Sequence, residues 1–114
     1  MNSLTLDAFQ LLNFFGVEPV RLDADTPWPY NDFSYEIIRG DLVLAFSLFP
    51  AYKDVRITLN RNGATVYELS AMCVDDIRYH NEKQRETLEI VLNPRDVLWL
   101  AVSPAISIRH ASGE

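Results

Sequence analysis

Apolar residues change their spacing once along the chain, from a helical period near the N-terminus to a period of two beyond residue 33. Ala8, Leu11, Leu12 and Phe15 stand at i, i+3, i+4 and i+7, which puts them on one face of a short helix. Ser3 or Thr5 is the expected N-cap, because a side-chain oxygen there can accept from a backbone N–H that has no partner within the helix. Gly16 is placed to end the helix in the left-handed conformation. After an apolar stretch around Val20 comes Asp23-Ala-Asp-Thr-Pro-Trp-Pro-Tyr-Asn-Asp32. Its two prolines fix backbone angles and remove donors, so it reads as a stiff loop.

From Phe33 the punctuation is that of hairpins. Phe33, Tyr35 and Ile37 alternate with Ser34 and Glu36, and Gly40-Asp41 supplies a two-residue turn with glycine first, as type II′ requires. Leu42 to Phe49 is apolar on both faces, the pattern of a central strand covered on both sides, with the helix on one of them. Pro50 ends it. Val55, Ile57 and Leu59 then alternate with Arg56, Thr58 and Asn60 up to Asn62-Gly63, a pair that tolerates positive φ and leads into a strand from Thr65 to Ala71. Strands around Ile77 to His80 and Thr87 to Leu92 flank a polar loop, Asn81 to Arg85. Asn93-Pro94-Arg95-Asp96 reads as a type I turn into Val97 to Val102. Pro104 precedes a last edge strand, Ala105 to Arg109, and a polar tail expected to fray and to carry His110. The elements predict an α+β fold: an N-terminal helix followed by a six- to eight-strand antiparallel meander, a twisted sheet able to curl into a half-barrel around the helix.

Composition narrows the class. With 114 residues, 48% hydrophobic and 23% charged, residues 1–114 are expected to form a single domain that buries about two-thirds of its unfolded surface. Cys73 has no second cysteine to pair with, which points to a thiol-keeping compartment, the cytoplasm. Following Ala71-Met72, it is expected to be a small buried residue. Uncharged runs such as Leu42 to Tyr52 are too short for the roughly 20 residues of a membrane-spanning helix, and no basic-then-apolar leader opens the chain. Sixteen acids against ten bases give a net charge of −6. The excess lies early, where Asp7, Glu18, Asp23, Asp25, Asp32, Glu36 and Asp41 face only Arg21 and Arg39. Such a surface repels phosphate backbones and anionic lipid, so no nucleic-acid or membrane partner is expected, while a basic protein gains from the same field.

Candidate chemistry is sparse. Asp76, Arg78 and His80 lie two apart and share a strand face, a carboxylate and an imidazole within reach of acid–base work. Alternation with Ile77 and Tyr79 is equally what a half-buried edge hairpin requires. Two histidines and one cysteine do not make a zinc set. The glycines at 16, 40, 63 and 113 are too far apart to cradle a phosphate, and no serine sits in a nucleophile elbow. No catalytic residue, metal or cofactor is therefore expected. The loop carries more: Asp23, Asp25 and Asp32 surround Trp28 and Tyr30 between two prolines. Aromatics with a polar handle on a stiff backbone lose little entropy on docking and serve as interface anchors. The same two rings could instead plug one end of the sheet's core. Asp75 and Asp76, followed by Glu82 and Glu86, extend the acidic patch if the fold brings them near.

A small acidic domain with a helix ahead of a meander and the acidic, aromatic loop Asp23 to Asp32 resembles bacterial toxin-neutralising immunity proteins, of the contact-dependent inhibition or other polymorphic toxin type. The resemblance spans the chain and is architectural. It implies a non-enzymatic protein that binds a cognate toxin domain and occludes its active site. Many such toxins are nucleases with basic clefts, so Asp23, Asp25, Trp28, Tyr30, Asp32, Asp75 and Asp76 would meet a basic partner. Two other readings stand beside it. One is a small-ligand module with an apolar pocket between sheet and helix lined by Phe46, Tyr67 and Trp99; the other is an assembly subunit pairing through the edge strand Ala105 to Arg109. On the first reading, charge reversal at Asp23 and Asp25 slows association most at low salt, because exposed charges act over a Debye length of about 8–10 Å. Association rates that do not change across a salt series remove the electrostatic contribution.

Overall fold

The computed structural model describes residues 4–21, 25–27, 30–83 and 85–112. Helix α1 runs from Ala8 to Phe15, and its N-cap is Asp7. The Asp7 carboxylate accepts the Gln10 N–H at 2.9 Å while the Gln10 side chain accepts the Asp7 N–H at 3.1 Å. Each thus satisfies a donor that the first turn leaves open, a reciprocal arrangement set by the three-residue spacing of Asp7 and Gln10. Thr5 is not the cap because it is held elsewhere, its N–H and Oγ1 both donating to Asp76 at 2.8 and 2.6 Å; Ser3 lies outside the described residues. Gly16, at φ 72°, closes the helix by donating to the Leu12 carbonyl. Two turns of helix do not persist alone in water, so packing must hold them. The buried residues are Leu11, Phe14 and Phe15. Ala8 is exposed and Leu12 half-buried, so the apolar stripe is rotated toward Phe14.

Nine strands follow in two antiparallel sheets. In the first, β1 (Val20–Arg21), β2 (Phe33–Arg39), β3 (Leu42–Phe49), β4 (Asp54–Arg61) and β5 (Ala64–Ala71) lie in chain order; in the second, β6 (Asp76–Glu82), β7 (Arg85–Val91), β8 (Asp96–Ala101) and β9 (Ser107–Ser112) do the same. The α+β class and the meander are as the periodicity predicts. The strand count exceeds the expected range by one, and the single curled sheet is instead two sheets, not closed into a barrel. The break falls at residues 72–75. Cys73 turns the chain there at φ 57° and is exposed, contrary to its expected burial, because the connector needs a tight turn and places Val74 in the core instead. Backbone bonds fasten this connector: Val74 N–H to Lys53 O at 2.9 Å and Asp75 N–H to Val91 O at 2.8 Å.

The turns behave as their residues require. Gly40 has φ 62° and Asp41 does not take positive φ, the type II′ pattern, while Asn62 and Gly63 are both positive as in type I′. The expected five-residue loop at 81–85 is tighter, since Glu82 pairs with Arg85 across a turn with Lys83 at φ 50°. β9 begins two residues later than expected and continues to Ser112. His110 therefore lies within a paired strand opposite Leu98, 3.7 Å from the Asp96 carboxylate, rather than in a frayed tail. β3 is central in its sheet, with Leu44, Phe46 and Leu48 fully buried, yet Val43, Ala45, Ser47 and Phe49 on its other face are only half-buried. Both sheets and the helix turn toward one core, so the second face of β3 receives no cover.

That core takes Tyr35, Ile37, Leu44, Phe46 and Ile57 from the first sheet and Ile77, Leu88, Ile90, Leu98 and Leu100 from the second. α1 joins them. Phe15 stacks on Tyr35 with ring centres 4.5 Å apart and tilts against Phe46 at 5.1 Å, while its neighbour Phe14 meets Tyr79 of the second sheet edge-on at 6.4 Å. Burial among these rings pushes the Tyr35 hydroxyl up to about 12, against the lowering effect of Arg21. Truncating Phe15→Ala removes a fully packed ring and leaves a cavity, with an expected loss of about 3–5 kcal/mol out of a total of roughly 5–15. Urea unfolding checks this, and a loss under about 1 kcal/mol would mean that the ring is dispensable to the join between the sheets.

Candidate functional site

In an antiparallel meander alternate connections gather at the same end. Here the segment before β2, the turn from β3 to β4, the connector from β5 to β6 and the turn from β7 to β8 share one end of the molecule. Asp25, Asp32, Asp54, Asp75, Asp76 and Asp96 belong to these connections or the first strand residues beyond them, with Arg21, Lys53, Arg56, Arg78 and Arg95 as the bases in or within two residues of them. Three of the segments meet around a concavity of about 280 Å³, whose lining includes Asp32, Phe49, Asp54, Arg56 and Met72. Exposed apolar side chains stand on the same end: Tyr30 at 66%, Tyr52 at 65% and Met72 at 79% of their full area. Tyr52 leans on Phe49 with ring centres 4.7 Å apart.

The loop residues are placed as follows. Asp23 and Trp28 lie outside the described residues. Asp25 is exposed, and so is Tyr30, which therefore does not plug the core. Its backbone is held by a bond from Tyr30 N–H to Pro27 O at 3.0 Å. Asn31, the one polar side chain buried among the described residues, fastens the loop from inside. Its Nδ2 donates to Thr26 O at 3.2 Å and its Oδ1 accepts the Asp32 N–H at 2.9 Å. Asp32 is half-buried at the concavity and Asp75 is exposed.

Asp76 has a different setting. Its carboxylate accepts from Thr5 twice and from the Ile77 N–H at 2.8 Å, and Arg78 Nε lies 3.3 Å away. Burial alone would raise its pKa, but the Thr5 and Ile77 hydrogen bonds and the Arg78 charge outweigh it and hold the group below the ordinary carboxylate range. Asp76 thus ties the segment before α1 to β6. Arg78 and His80 share its face, as the spacing predicts, and both reach Glu89 across the ladder, at 3.6 and 2.9 Å. Glu89 stands opposite Arg78 in register, a pairing that only the hairpin alignment reveals. The Arg78–Glu89 ion pair and the His80–Glu89 hydrogen bond are the cross-strand ties of an edge hairpin.

Glu82 and Glu86 do not extend the acidic patch. Glu82 ends β6, six strand steps and roughly 20 Å from Asp76, and Glu86 stands at the start of β7 opposite Asn81. Glu86 accepts the Tyr79 hydroxyl at 2.5 Å. Nor do Phe46, Tyr67 and Trp99 enclose a common pocket: Phe46 is sealed in the core, and Trp99 occupies the outer face of the second sheet between the inward Leu98 and Leu100. A groove between α1 and the first sheet, lined by Phe9, Leu12, Phe33 and Tyr35 among others, holds about 190 Å³, under the roughly 300 Å³ of ordinary ligand pockets. Sequence reasoning passed over Phe9, Tyr52 and Met72 as exposed apolar groups. For Phe9 a signal existed, since it falls off the helical stripe; Tyr52 and Met72 sit in connections where no period applies.

No family model and no curated protein matches the chain. Among solved structures it is similar to a chain of a contact-dependent growth inhibition toxin–immunity protein complex from Klebsiella pneumoniae 342, with a TM-score of 0.81, 18% identity and 96% of each chain covered. The two share a fold over nearly their whole length.

Replacing Asp76 tests its role as a tie. Its contribution to stability is present above the unfolded pKa of about 3.9 and is lost as pH falls through the lower folded value. Asp76→Asn is therefore expected to be less stable at pH 7 and to show a flatter decline of the urea midpoint below about pH 4. Parallel acid limbs for the two proteins would remove the carboxylate from this role.

Proposed function

We propose that the chain is a non-enzymatic immunity protein of the contact-dependent inhibition type, which binds a cognate bacterial toxin domain and neutralises it. The observation that carries this reading is the likeness of fold to a chain of a toxin–immunity complex over 96% of both lengths. The chemistry of this chain supports the inhibitor's part in such a pair. Its polar clusters are engaged in structural ties, as between the segment before α1 and β6 at Thr5–Asp76 and between strands at His80–Glu89, and its net charge is −6. An acidic end with exposed tyrosines suits a basic cleft, where carboxylates steer encounter and rings supply buried contact.

On this reading the docking surface is Tyr30 with Asp25, Asp32 and Asp75, together with Asp23 and Trp28 of the same loop. The toxin is a nuclease, and the loop covers the cleft meant for phosphates, occluding the active site. The exposed thiol of Cys73 fits a reducing cytoplasm as the place of encounter.

Purification of the tagged chain from its own cells, with mass spectrometry, is expected to bring down a basic toxin domain in equal amount. Tyr30→Ala should then weaken the complex by about 2 kcal/mol, roughly 30-fold in Kd by calorimetry, because a ring at the centre of an interface carries a disproportionate share of affinity. A chain that emerges without a toxin, or whose toxin leaves the acidic end untouched, would sink the corresponding half of the proposal.

A further inference from the structure

The outer face of the second sheet holds a larger hollow than the acidic end does. Leu98 and Leu100 are fully buried, so Trp99 between them must point to the opposite face, where its large ring is left half-buried. It forms part of a groove of about 460 Å³ with Arg85, Ser103, Ser107 and Arg109, within the roughly 300–1,000 Å³ of small-molecule sites. The Arg109 guanidinium stands 5.7 Å from the centre of the Trp99 ring. That guanidinium lies over the ring, and the His80 ring tilts against the same indole with centres 5.7 Å apart, leaving Trp99 partly accessible.

Charge is the second observation. Among the described residues neither Arg85 nor Arg109 has a carboxylate within ion-pair distance, although the chain as a whole is strongly acidic. Glu86 also lines the groove and accepts the Tyr79 hydroxyl, so the lining holds two guanidinium groups against one carboxylate. Two arginines without acidic partners beside a partly open indole favour a ligand that is both flat and anionic. Guanidinium groups pair with carboxylate or phosphate in two-pronged fashion, and an aromatic face stacks a second ring.

We infer that this groove is a binding site for an aromatic anion: a planar ring that stacks on Trp99, carrying a carboxylate or phosphate that pairs with Arg85 and Arg109. The site stands apart from the proposed toxin surface. The start of β7 and the connection from β8 to β9 lie at the end of the molecule opposite Asp32 and Asp75, so both can be filled at once.

The test is two-dimensional proton–nitrogen NMR on the labelled full-length chain, reading the indole N–H signal of Trp99, which Trp99→Phe assigns. Adenosine monophosphate and indole-3-acetate are the probes, one for each acidic group, with uncharged adenosine as the control. A saturating shift of the Trp99 signal in the millimolar range is expected, and Arg109→Ala and Arg85→Ala should each weaken it about tenfold. Arg85→Ala leaves the Trp99 contact intact, so it remains informative should Arg109→Ala disturb β9. Response to the nucleotide alone assigns a phosphate and response to the acetate alone a carboxylate. A Trp99 signal unmoved by either probe, or moved equally by adenosine, overturns the inference.

Discussion

The contact on which the rest depends is the wedge made by two adjacent rings, Phe14 and Phe15. Neighbouring residues on a helix point about 100° apart, and these two use that angle to face different sheets: Phe15 stacks against Tyr35 and Phe46, and Phe14 meets Tyr79. An eight-residue helix contributes little stability of its own, yet placed here it makes one core out of two sheets. Other ties reinforce the join away from the rings. Leu6 N–H bonds to Ile77 O at 3.0 Å beside the Thr5–Asp76 pair, and at the opposite end Arg39 Nε bonds to Val102 O at 2.9 Å.

The join also sorts charge. Because both sheets are antiparallel meanders fastened through Val74 and Asp75, their odd connections come to one end and their even connections to the other. Asp25, Asp32, Asp54, Asp75, Asp76 and Asp96 gather in this way, while Asp41, Glu82 and Glu86 are carried to the opposite end with Arg85. The acidic end with its exposed tyrosines and the arginine-flanked indole groove are two chemically opposite surfaces on one small domain. The first suits a basic partner and the second a small anion, and neither requires the other to be empty.

Local chemistry in this chain was widely legible from its residues. Asn62-Gly63 and Gly40-Asp41 made the turns that their tolerance of positive φ allows, and alternation at Phe33, Tyr35 and Ile37 or at Val55 and Ile57 gave the buried face directly. Of the candidate site, the exposure of Tyr30 was one of two open alternatives, since a ring on a stiff loop can turn in or out with the same local geometry. The role of Asp76 was hidden altogether. Its partner Thr5 lies 71 residues away, and both hydrogen bonds from that residue depend on where the helix docks.

The sequence by itself determined the helix, the strands, the turns between most of them and the acidic balance, because each depends on neighbours within a few positions. Tertiary structure alone decided that the meander breaks at Cys73 into two sheets, that the helical stripe rotates toward Phe14, and which aspartates share an end. Those outcomes follow from one shared core, whose burial is a sum over distant residues: local periodicity says which side of a strand is apolar, but only packing says what that side meets.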